Sequence, residues 1–421
     1  MITGRTDVAV IGGGPAGLAA AVAASNEGAS VVLIEREARL GGILKQCIHD
    51  GFGVIRYGEK LSGPEYALRD MWALGETKAR VLLQTYVTRI IKRDSVFVLT
   101  LVNHSGMMTL EANKLVLATG CRERTAKQIA IHGSRPAGVL TAGSAQYYTN
   151  ILGQMPTKRC VILGSGDIGL IMARRLTLEG ASVVGVFEIK HTPGGLLRNI
   201  SQCLNDFNIP LHLGHTVTRV YGTHRLTAVE VCQVDEDGVP IPDTSKVIEC
   251  DALILSVGLI PENELAESLG IEMDKNTHGP VCDQNHMTMV SGVFSCGNST
   301  HVNDMVDYVS ESGEIAGRNA ARYEGASRTF AEVRLGKDIM YVVPHRVNVE
   351  YVDEESIFFF RVGRVRDNMI IRVLVDDKLV FSKQVRQLRP AEMERIAVKF
   401  GGILRSSSRI VLDIAPIPKK G

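Results

Sequence analysis

Two glycine triplets, Gly12, Gly14, Gly17 and Gly164, Gly166, Gly169, share the spacing G-x-G-x-x-G, each between an apolar run and a stretch of helical character. The chemistry such a turn offers is anion binding. Its first glycine closes the turn, its second lets the backbone approach a pyrophosphate and its third lets helix pack on strand, while the helix N-terminus presents unpaired N–H donors. An acid stands at the appropriate distance beyond each turn, Glu35 after Val31 to Ile34 and Glu188 after Val183 to Phe187, where a carboxylate accepts from both hydroxyls of a ribose. A lone triplet can be a tight turn that binds nothing. Two triplets with strand, helix and acid in place point to two nucleotides, one around Gly12, Gly14, Pro15, Ala16, Gly17 and Glu35, the other around Gly164, Gly166, Asp167, Ile168, Gly169 and Glu188.

Particular elements must hold these groups. Asp7 to Ile11 reads as a buried strand and Pro15 to Glu27 as a small-residue helix; Cys160 to Leu163, Ile168 to Glu179 and Val183 to Phe187 repeat the strand–helix–strand unit. Between the units, Arg80 to Lys114 carries three apolar stretches (Val81 to Leu83, Val96 to Leu101, Met107 to Leu110) that predict an inserted β-meander. Leu115 to Gly120 follows as a buried strand ending in Ala118, Thr119 and Gly120, and Gly138 to Ile151 leads into the second unit. Ala252 to Val257 closes that unit, and Pro261 to Glu324 returns to the first with a short strand at Val293 to Asn298. A helix then runs from Asp307 to Arg322, with Gly313 and Gly317 one turn apart for close packing. Beyond Ala331 the period becomes two: strands are expected at Val347 to Val352, Ile357 to Val365, Met369 to Val375, Leu379 to Val385 and Arg409 to Ile414, a turn at Asp376 and Asp377, and a short helix over Pro390 to Lys399. The expected class is α/β: two Rossmann-like dinucleotide-binding domains, the first discontinuous (1–151 with 261–330, then 152–260), plus a small C-terminal β-rich domain over 331–421.

Composition narrows the function. The formal net charge of +1 makes no bulk electrostatic case for nucleic acid or an anionic membrane. The apolar stretch Val8 to Ala24 is preceded by Asp7 and interrupted by glycines, so it reads as retained structure, with no direct membrane span. Eight cysteines lie scattered with no C-x-x-C, which leaves no readable zinc site, metal cluster or disulfide framework; reduced thiols fit a cytoplasmic protein. Residues 331–421 hold 17 Lys and Arg against 12 Asp and Glu, net +5, leaving −4 on the remainder. That charge suits docking to an acidic partner as well as it suits a solvated face.

Over Ile2 to about Tyr323 the chain resembles the two-dinucleotide-binding-domain flavoproteins, the pyridine nucleotide-disulfide oxidoreductase superfamily. The resemblance rests on the first triplet with Glu35, the pair Gly41 and Gly42, Ala118-Thr119-Gly120, and Gly292 to Asn298. It implies FAD on the first domain, with adenosine ribose on Glu35 beside Arg36, pyrophosphate on Gly12 to Gly17, Gly42 and Ala118 to Gly120 nearby, and the ribityl chain at Gly297 and Asn298. It implies a nicotinamide nucleotide on the second, where the Glu188 carboxylate would favour NAD by repelling the 2′-phosphate of NADP, with Lys190 and His191 close enough to weaken that preference. A nearer likeness, through Gly41 to Asp50, Arg135 to Gln146 and Asn298 to Glu311, is to flavoprotein subunits of multi-subunit amine and glycerol-phosphate dehydrogenases, such as the B-type subunit of hydrogen cyanide synthase and the A-type subunits of opine oxidases. That likeness implies an oligomer with a second, substrate-oxidising flavoprotein. Any iron–sulfur cluster would sit on a further small protein. The superfamily usually has Asp where this chain has Asn298.

The disulfide reductases that the chain resembles need a cysteine pair beside the flavin, either shortly after the paired glycines or just ahead of the nicotinamide fingerprint; Cys47 stands alone in the first region and the second has no pair. Hydride transfer between nicotinamide and FAD, with onward passage of electrons, is therefore the expected chemistry. It requires no general acid or base, so Lys45, Cys47 and His49 are only weak catalytic candidates beside readings as solvated lysine, packed thiol and loop histidine. A second reading keeps the chain as a nucleotide-binding scaffold within a larger assembly, with a structural ADP or ATP in the second domain and no nicotinamide chemistry.

Overall fold

The computed structural model describes residues 2–351 and 355–417, which fall into two compact units, Met1–Cys121 with Pro261–Gly421, and Arg122–Ile260. The division comes at Cys121, ahead of the 151/152 boundary read from the sequence. The reason is strand Val139–Thr141, which pairs in parallel with Ala252–Leu255, so the lead-in segment already belongs to the sheet of the second unit.

In the first unit, Ile2–Ile11 is the central strand of a seven-stranded sheet. Val31–Ile34 lies parallel to it on one side, with Val10 opposite Leu33, and Gly106–Leu117 lies parallel on the other, with Val10 opposite Val116. Gly106–Leu117 serves two partners along one edge: Val96–Asn103 pairs antiparallel with its first part, and Val293–Ser295 runs parallel to Leu115–Leu117 at its end. The returning segment thereby sets Gly297 beside the first turn. Helix Pro15–Asn26 is built of small residues because helix Val306–Arg322 crosses it at backbone distance. A Cβ on Gly313 or Gly317 would collide with the carbonyl oxygens of Ala16 and Ala20 respectively.

Some elements differ from expectation. Arg80–Leu82 is a parallel strand beside Val31–Ile34, and Tyr86–Arg93 completes the antiparallel meander in its place. A three-residue apolar run carries no period, so only its partner decides its role. The segment expected as a helix over Pro390 to Lys399 contains strand Glu394–Val398, antiparallel to Ser356–Val362; Ile396 and Val398 alternate into the core, which is a strand period. Arg346–Asn348 is a short strand followed by a 3-10 turn over Val349–Tyr351, and Val352 lies outside the described residues.

The C-terminal region has a five-stranded sheet in the order Arg346–Asn348, Phe330–Leu335, Ile410–Pro416, Arg366–Val375, Lys378–Leu388, and a three-stranded sheet of Ile339–Val343, Ser356–Val362 and Glu394–Val398. Both sheets feed one core that includes Phe358, Phe360, Ile371, Val373, Ile396 and Leu412. Asp376 and Asp377 have φ of +49° and +66°, which turns the hairpin between Arg366–Val375 and Lys378–Leu388. This region packs on the rest of the first unit. Arg395 Nε donates to Glu311 at 2.9 Å, Arg361 pairs with Asp304, and Cys282 is buried with Tyr341 and Val343.

The second unit has a five-stranded parallel sheet in the order Leu211–Leu213, Ser182–Glu188, Arg159–Leu163, Ala252–Leu255, Val139–Thr141. Helix Asp167–Leu178 buries Leu170, Met172, Ala173 and Leu176. A separate four-stranded sheet includes His215–Gly222, Leu226–Gln233 and Lys246–Glu249.

Candidate functional site: two nucleotide cradles

Both triplets form the turn their spacing predicts, and each glycine has a different reason to be glycine. Gly12 and Gly164 have φ of +107° and +98°, where a side chain is strained, and a Cβ on either would run into the carbonyl of Ala118 or Ser256. Gly17 and Gly169 face the backbone of their own turns; a Cβ on Gly169 would lie 2.7 Å from the Gly164 oxygen. The middle glycines are otherwise. The nearest atom to a Cβ on Gly14 is Gly42 Cα at 3.9 Å, and on Gly166 it is Ser256 Oγ at 3.7 Å. Each turn is thus packed at its first and third glycine and open at its second, the arrangement that a pyrophosphate site requires.

The acids are buried and aimed at these turns. Glu35 Oε2 accepts the Gly13 N–H at 2.6 Å and Oε1 the Glu37 N–H at 2.7 Å. Glu188 Oε2 accepts both the N–H and the hydroxyl of Ser165, at 2.8 and 2.6 Å, and Oε1 the Lys190 N–H at 3.0 Å. An ionised carboxylate has about four lone-pair sites, so each acid keeps acceptor capacity for ribose hydroxyls.

The other predicted contacts cluster around the first turn. The Ala118 N–H donates to Ile11 O at 2.9 Å, and Gly120 has φ of +73° with open space where a Cβ would go. The return segment is tied to this strand end: Thr119 Oγ1 donates to Glu262 O at 2.6 Å, and the Arg36 guanidinium meets the Glu262 carboxylate at 3.0 Å. Arg36 is therefore engaged by protein. Gly297 has φ of +66° and donates its N–H to Ser312 Oγ at 2.8 Å; Asn298 accepts the Asn303 N–H at 3.0 Å and directs its Nδ2 at Cys121 Sγ, 3.5 Å away. Ala16 and Ile168 sit in the first turns of their helices, after Pro15 and Asp167. Asp167 is also engaged by protein, since its Oδ1 accepts from the Leu196 N–H at 2.9 Å and from Asn199 Nδ2 at 2.7 Å.

The three weak catalytic candidates acquire ordinary partners. Lys45 pairs with Glu37 and donates to Arg39 O at 2.9 Å. His49 sets Nδ1 3.2 Å from Asp50 O and its ring against Phe52. Cys47 donates to Ile43 O at 3.4 Å, and burial pushes its thiol up to about 12. Burial does the same to Cys160 and Cys296, and no disulfide joins any two of the cysteines. Thiols held that far above neutrality are almost wholly protonated, and the thiolate is the nucleophile.

Sequence reasoning did not reach Ser165, Asn199 and the Gly194–Gly195 pair, which join the second acid, its turn and the loop after it. A signal was available: Gly194–Gly195 follows Glu188 at the spacing by which Gly41–Gly42 follows Glu35.

The model of the pyridine nucleotide-disulphide oxidoreductase family matches residues 6–325. The chain belongs to that family. Its cofactors are FAD and a nicotinamide nucleotide, and the open second glycine of each turn fits both. The chain is similar to the A subunit of opine oxidase from Agrobacterium tumefaciens (strain Ach5), 27% identical over 342 residues that cover 75% of this chain and 64% of that one. It is equally similar to the hydrogen cyanide synthase subunit HcnB of Pseudomonas aeruginosa, 27% identical over 337 residues, covering 74% of this chain and 69% of that one. The matched region thus spans about two thirds of these relatives' length. Among solved structures, T. acidophilum thioredoxin reductase shares the fold with a TM-score of 0.63 at 22% identity, over 76% of this chain and 98% of that one. Among the described residues no helix is long and apolar enough to cross a membrane.

Proposed function

We propose that this flavoprotein oxidoreductase passes electrons between a nicotinamide nucleotide and FAD, does not reduce disulfides, and works in the cytoplasm as one subunit of a multi-subunit dehydrogenase of amine or glycerol-phosphate type. The observation that carries this is the duplicated cradle, each turn open at its second glycine and each with a buried acid. When bound, FAD supplies the hydride-accepting centre.

The chain's own residues bind and orient. Gly12, Gly14 and Gly17 leave room for the FAD pyrophosphate, Glu35 accepts from the ribose, and Gly297 with Asn298 takes the ribityl side. Gly164, Gly166 and Gly169 do the same for the nicotinamide nucleotide. Glu188 favours NAD, since a 2′-phosphate would meet a buried carboxylate whose near neighbours already donate to it. Cys47 is a single protonated thiol in one of the two regions where a disulfide reductase carries its reactive pair, and the stretch ahead of the second fingerprint holds no pair, which supports electron transfer over thiol exchange.

Partnership is supported by the relatives, both of them subunits of larger enzymes by name, and by the +5 charge of residues 331–421, whose edge strand Lys378–Leu388 is largely exposed. We take the partner to be a substrate-oxidising flavoprotein, with any iron–sulfur cluster on a further small protein. A structural ADP or ATP in the second cradle is the competing reading, since the same turn and the same buried acid would hold an adenine nucleotide without nicotinamide chemistry.

Anaerobic mixing with NADH, followed at the flavin band near about 450 nm, tests the proposal. Rapid bleaching is expected, and cofactor released by heat should run as FAD. An FAD-loaded protein that neither NADH nor NADPH bleaches would leave the scaffold reading in its place.

A further inference from the structure

In both units the Gly-Gly pair lies against its turn as a strap. A Cβ on Gly42 would stand 3.0 Å from Gly14 Cα; in the second unit one on Gly194 would stand 3.6 Å from Gly166 N and 3.7 Å from Glu188 Oε2, and one on Gly195 would stand 2.9 Å from Ser165 O. Each strap therefore approaches the pyrophosphate end of its cradle, and the second approaches the ribose acid as well. A nucleotide anchored at Glu188 and at the turn lies against this strap.

The two straps are fastened differently. The first is held through backbone, Gly41 N–H to Gly13 O at 2.8 Å, and the turn residues facing it, Gly13 and Pro15, carry no side-chain donor or acceptor. In the second these positions are Ser165 and Asp167, and both are used. Ser165 Oγ accepts the Gly194 N–H at 2.8 Å while donating to Glu188, and Asp167 Oδ1 takes the Leu196 N–H and Asn199 Nδ2. Acid, turn and strap form one hydrogen-bonded network in which a change at the strap reaches the ribose anchor through a single hydroxyl.

We propose that the strap Lys190 to Leu196, latched by Ser165 and Asp167, sets how long an adenine dinucleotide resides in the second cradle. Latched, the strap holds the nucleotide against exchange; exchange requires the bonds to Ser165 and Asp167 to open. Ser165 and Asp167 are positioning residues that act through the strap. The proposal rests on reading the second cradle as the nicotinamide-nucleotide site, and it concerns release, which hydride transfer does not measure.

The test uses the full chain with FAD bound and the fluorescent, non-reducing probe etheno-NAD⁺, chased with excess NAD⁺ in a stopped-flow instrument. Ser165→Ala and Asp167→Ala should each release the probe about tenfold faster or more, because bonds to a carboxylate or in a buried network are among the stronger ones. Ser165→Thr and Asp167→Asn keep an acceptor in place and should restore slow release. A residue that only stabilised the fold would lower the thermal midpoint in the alanine variants and leave release untouched. Release at the wild-type rate from both alanine variants overturns the proposal, as does failure of the wild type to hold the probe. Loss of the NADH bleaching reading with the release pattern intact would sink the redox function and leave the latch standing.

Discussion

At the first cradle the turn is bare backbone, with Glu35 met by two amides and a helix packed so closely that Gly313 and Gly317 touch its backbone; at the second, Ser165 and Asp167 replace Gly13 and Pro15, and Glu188 is met by a hydroxyl as well as two amides. A turn whose helix is packed backbone to backbone against a second helix has little room to move. A turn that reaches its neighbours through side chains has bonds that can be broken singly. The first arrangement suits a cofactor that stays, the second a nucleotide that comes and goes, although both use the same fingerprint.

Glycine substitution separates packing from binding and should give the largest effects. Gly17→Ala drives a methyl into the Gly12 carbonyl, and overpacking against backbone that cannot yield costs at least about 1–3 kcal/mol. We expect loss of FAD and of the cooperative unfolding transition of the first unit. Gly14→Ala meets nothing nearer than Gly42 Cα at 3.9 Å, an ordinary contact, so it should fold with a near wild-type thermal midpoint yet bind FAD at least about tenfold more weakly, near 1.4 kcal/mol. Comparing FAD content and thermal midpoints of these two variants, and of Gly169→Ala with Gly166→Ala, would break the packed-and-open assignment if both members of a pair behaved alike.

Acid should strain the first unit more than the second. Burial holds His286 at about 4 and His301 at about 3, the latter also facing Arg361 and His345, whereas His212 in the second unit is lowered by burial and by His215 while remaining partly exposed. The unfolded chain protonates such histidines near about pH 6.5, so below that pH the unfolded state binds two protons that the folded first unit refuses, and stability falls. Asp283 acts oppositely: burial raises it to about 6, so the folded state takes up a proton that the unfolded chain does not bind until near about pH 4. One histidine is thereby offset between those values, so these three groups together cost about 1.4 kcal/mol per pH unit from about pH 6 to 4, a loss that Asp70 and Glu394, also raised by burial, lessen. Denaturant unfolding followed by circular dichroism across that pH range measures this loss. A flat or rising stability over that range would show that the histidines are not buried neutral.

The Glu188→Ala variant sharpens the comparison at the ribose. It should move the NADH to NADPH preference toward NADPH by about 1–3 kcal/mol, the scale of a buried charge facing a charge. Glu35→Ala should instead lower FAD content without altering nicotinamide choice. Ratios of bleaching efficiency with the two nucleotides measure the first, and an unchanged ratio would mean that Glu188 does not read the ribose.

The cradles were legible because glycine spacing and a terminal acid impose local geometry, and Gly313 and Gly317 announced a close helix crossing by their own interval. The latch was not, because Asp167 meets Leu196 and Asn199 from 29 and 32 residues away, and pairing at that range leaves no periodic trace. Arg80–Leu82 and Glu394–Val398 were misread for a related reason: runs this short take their identity from the strand they lie beside. Lys45 and Arg36, open to a cofactor role as letters, were claimed by Glu37 and Glu262 once the chain was folded.

The smallest expected effect belongs to Cys47, and its smallness is informative. The thiol lies in the strap region of the first cradle, is pushed up to about 12 by burial, and donates to a backbone carbonyl, so a serine hydroxyl can replace it in kind. Electron entry from a nicotinamide needs no thiolate. Cys47→Ser should therefore keep NADH-dependent bleaching within about tenfold of wild type, a barrier change below about 1.4 kcal/mol. A fall of several orders of magnitude with FAD still bound would mean that the thiol is ionised in the working protein. The first cradle would then hold a reactive group as well as a cofactor, and the contrast between a fixed first site and an adjustable second one would have to be redrawn around that thiol.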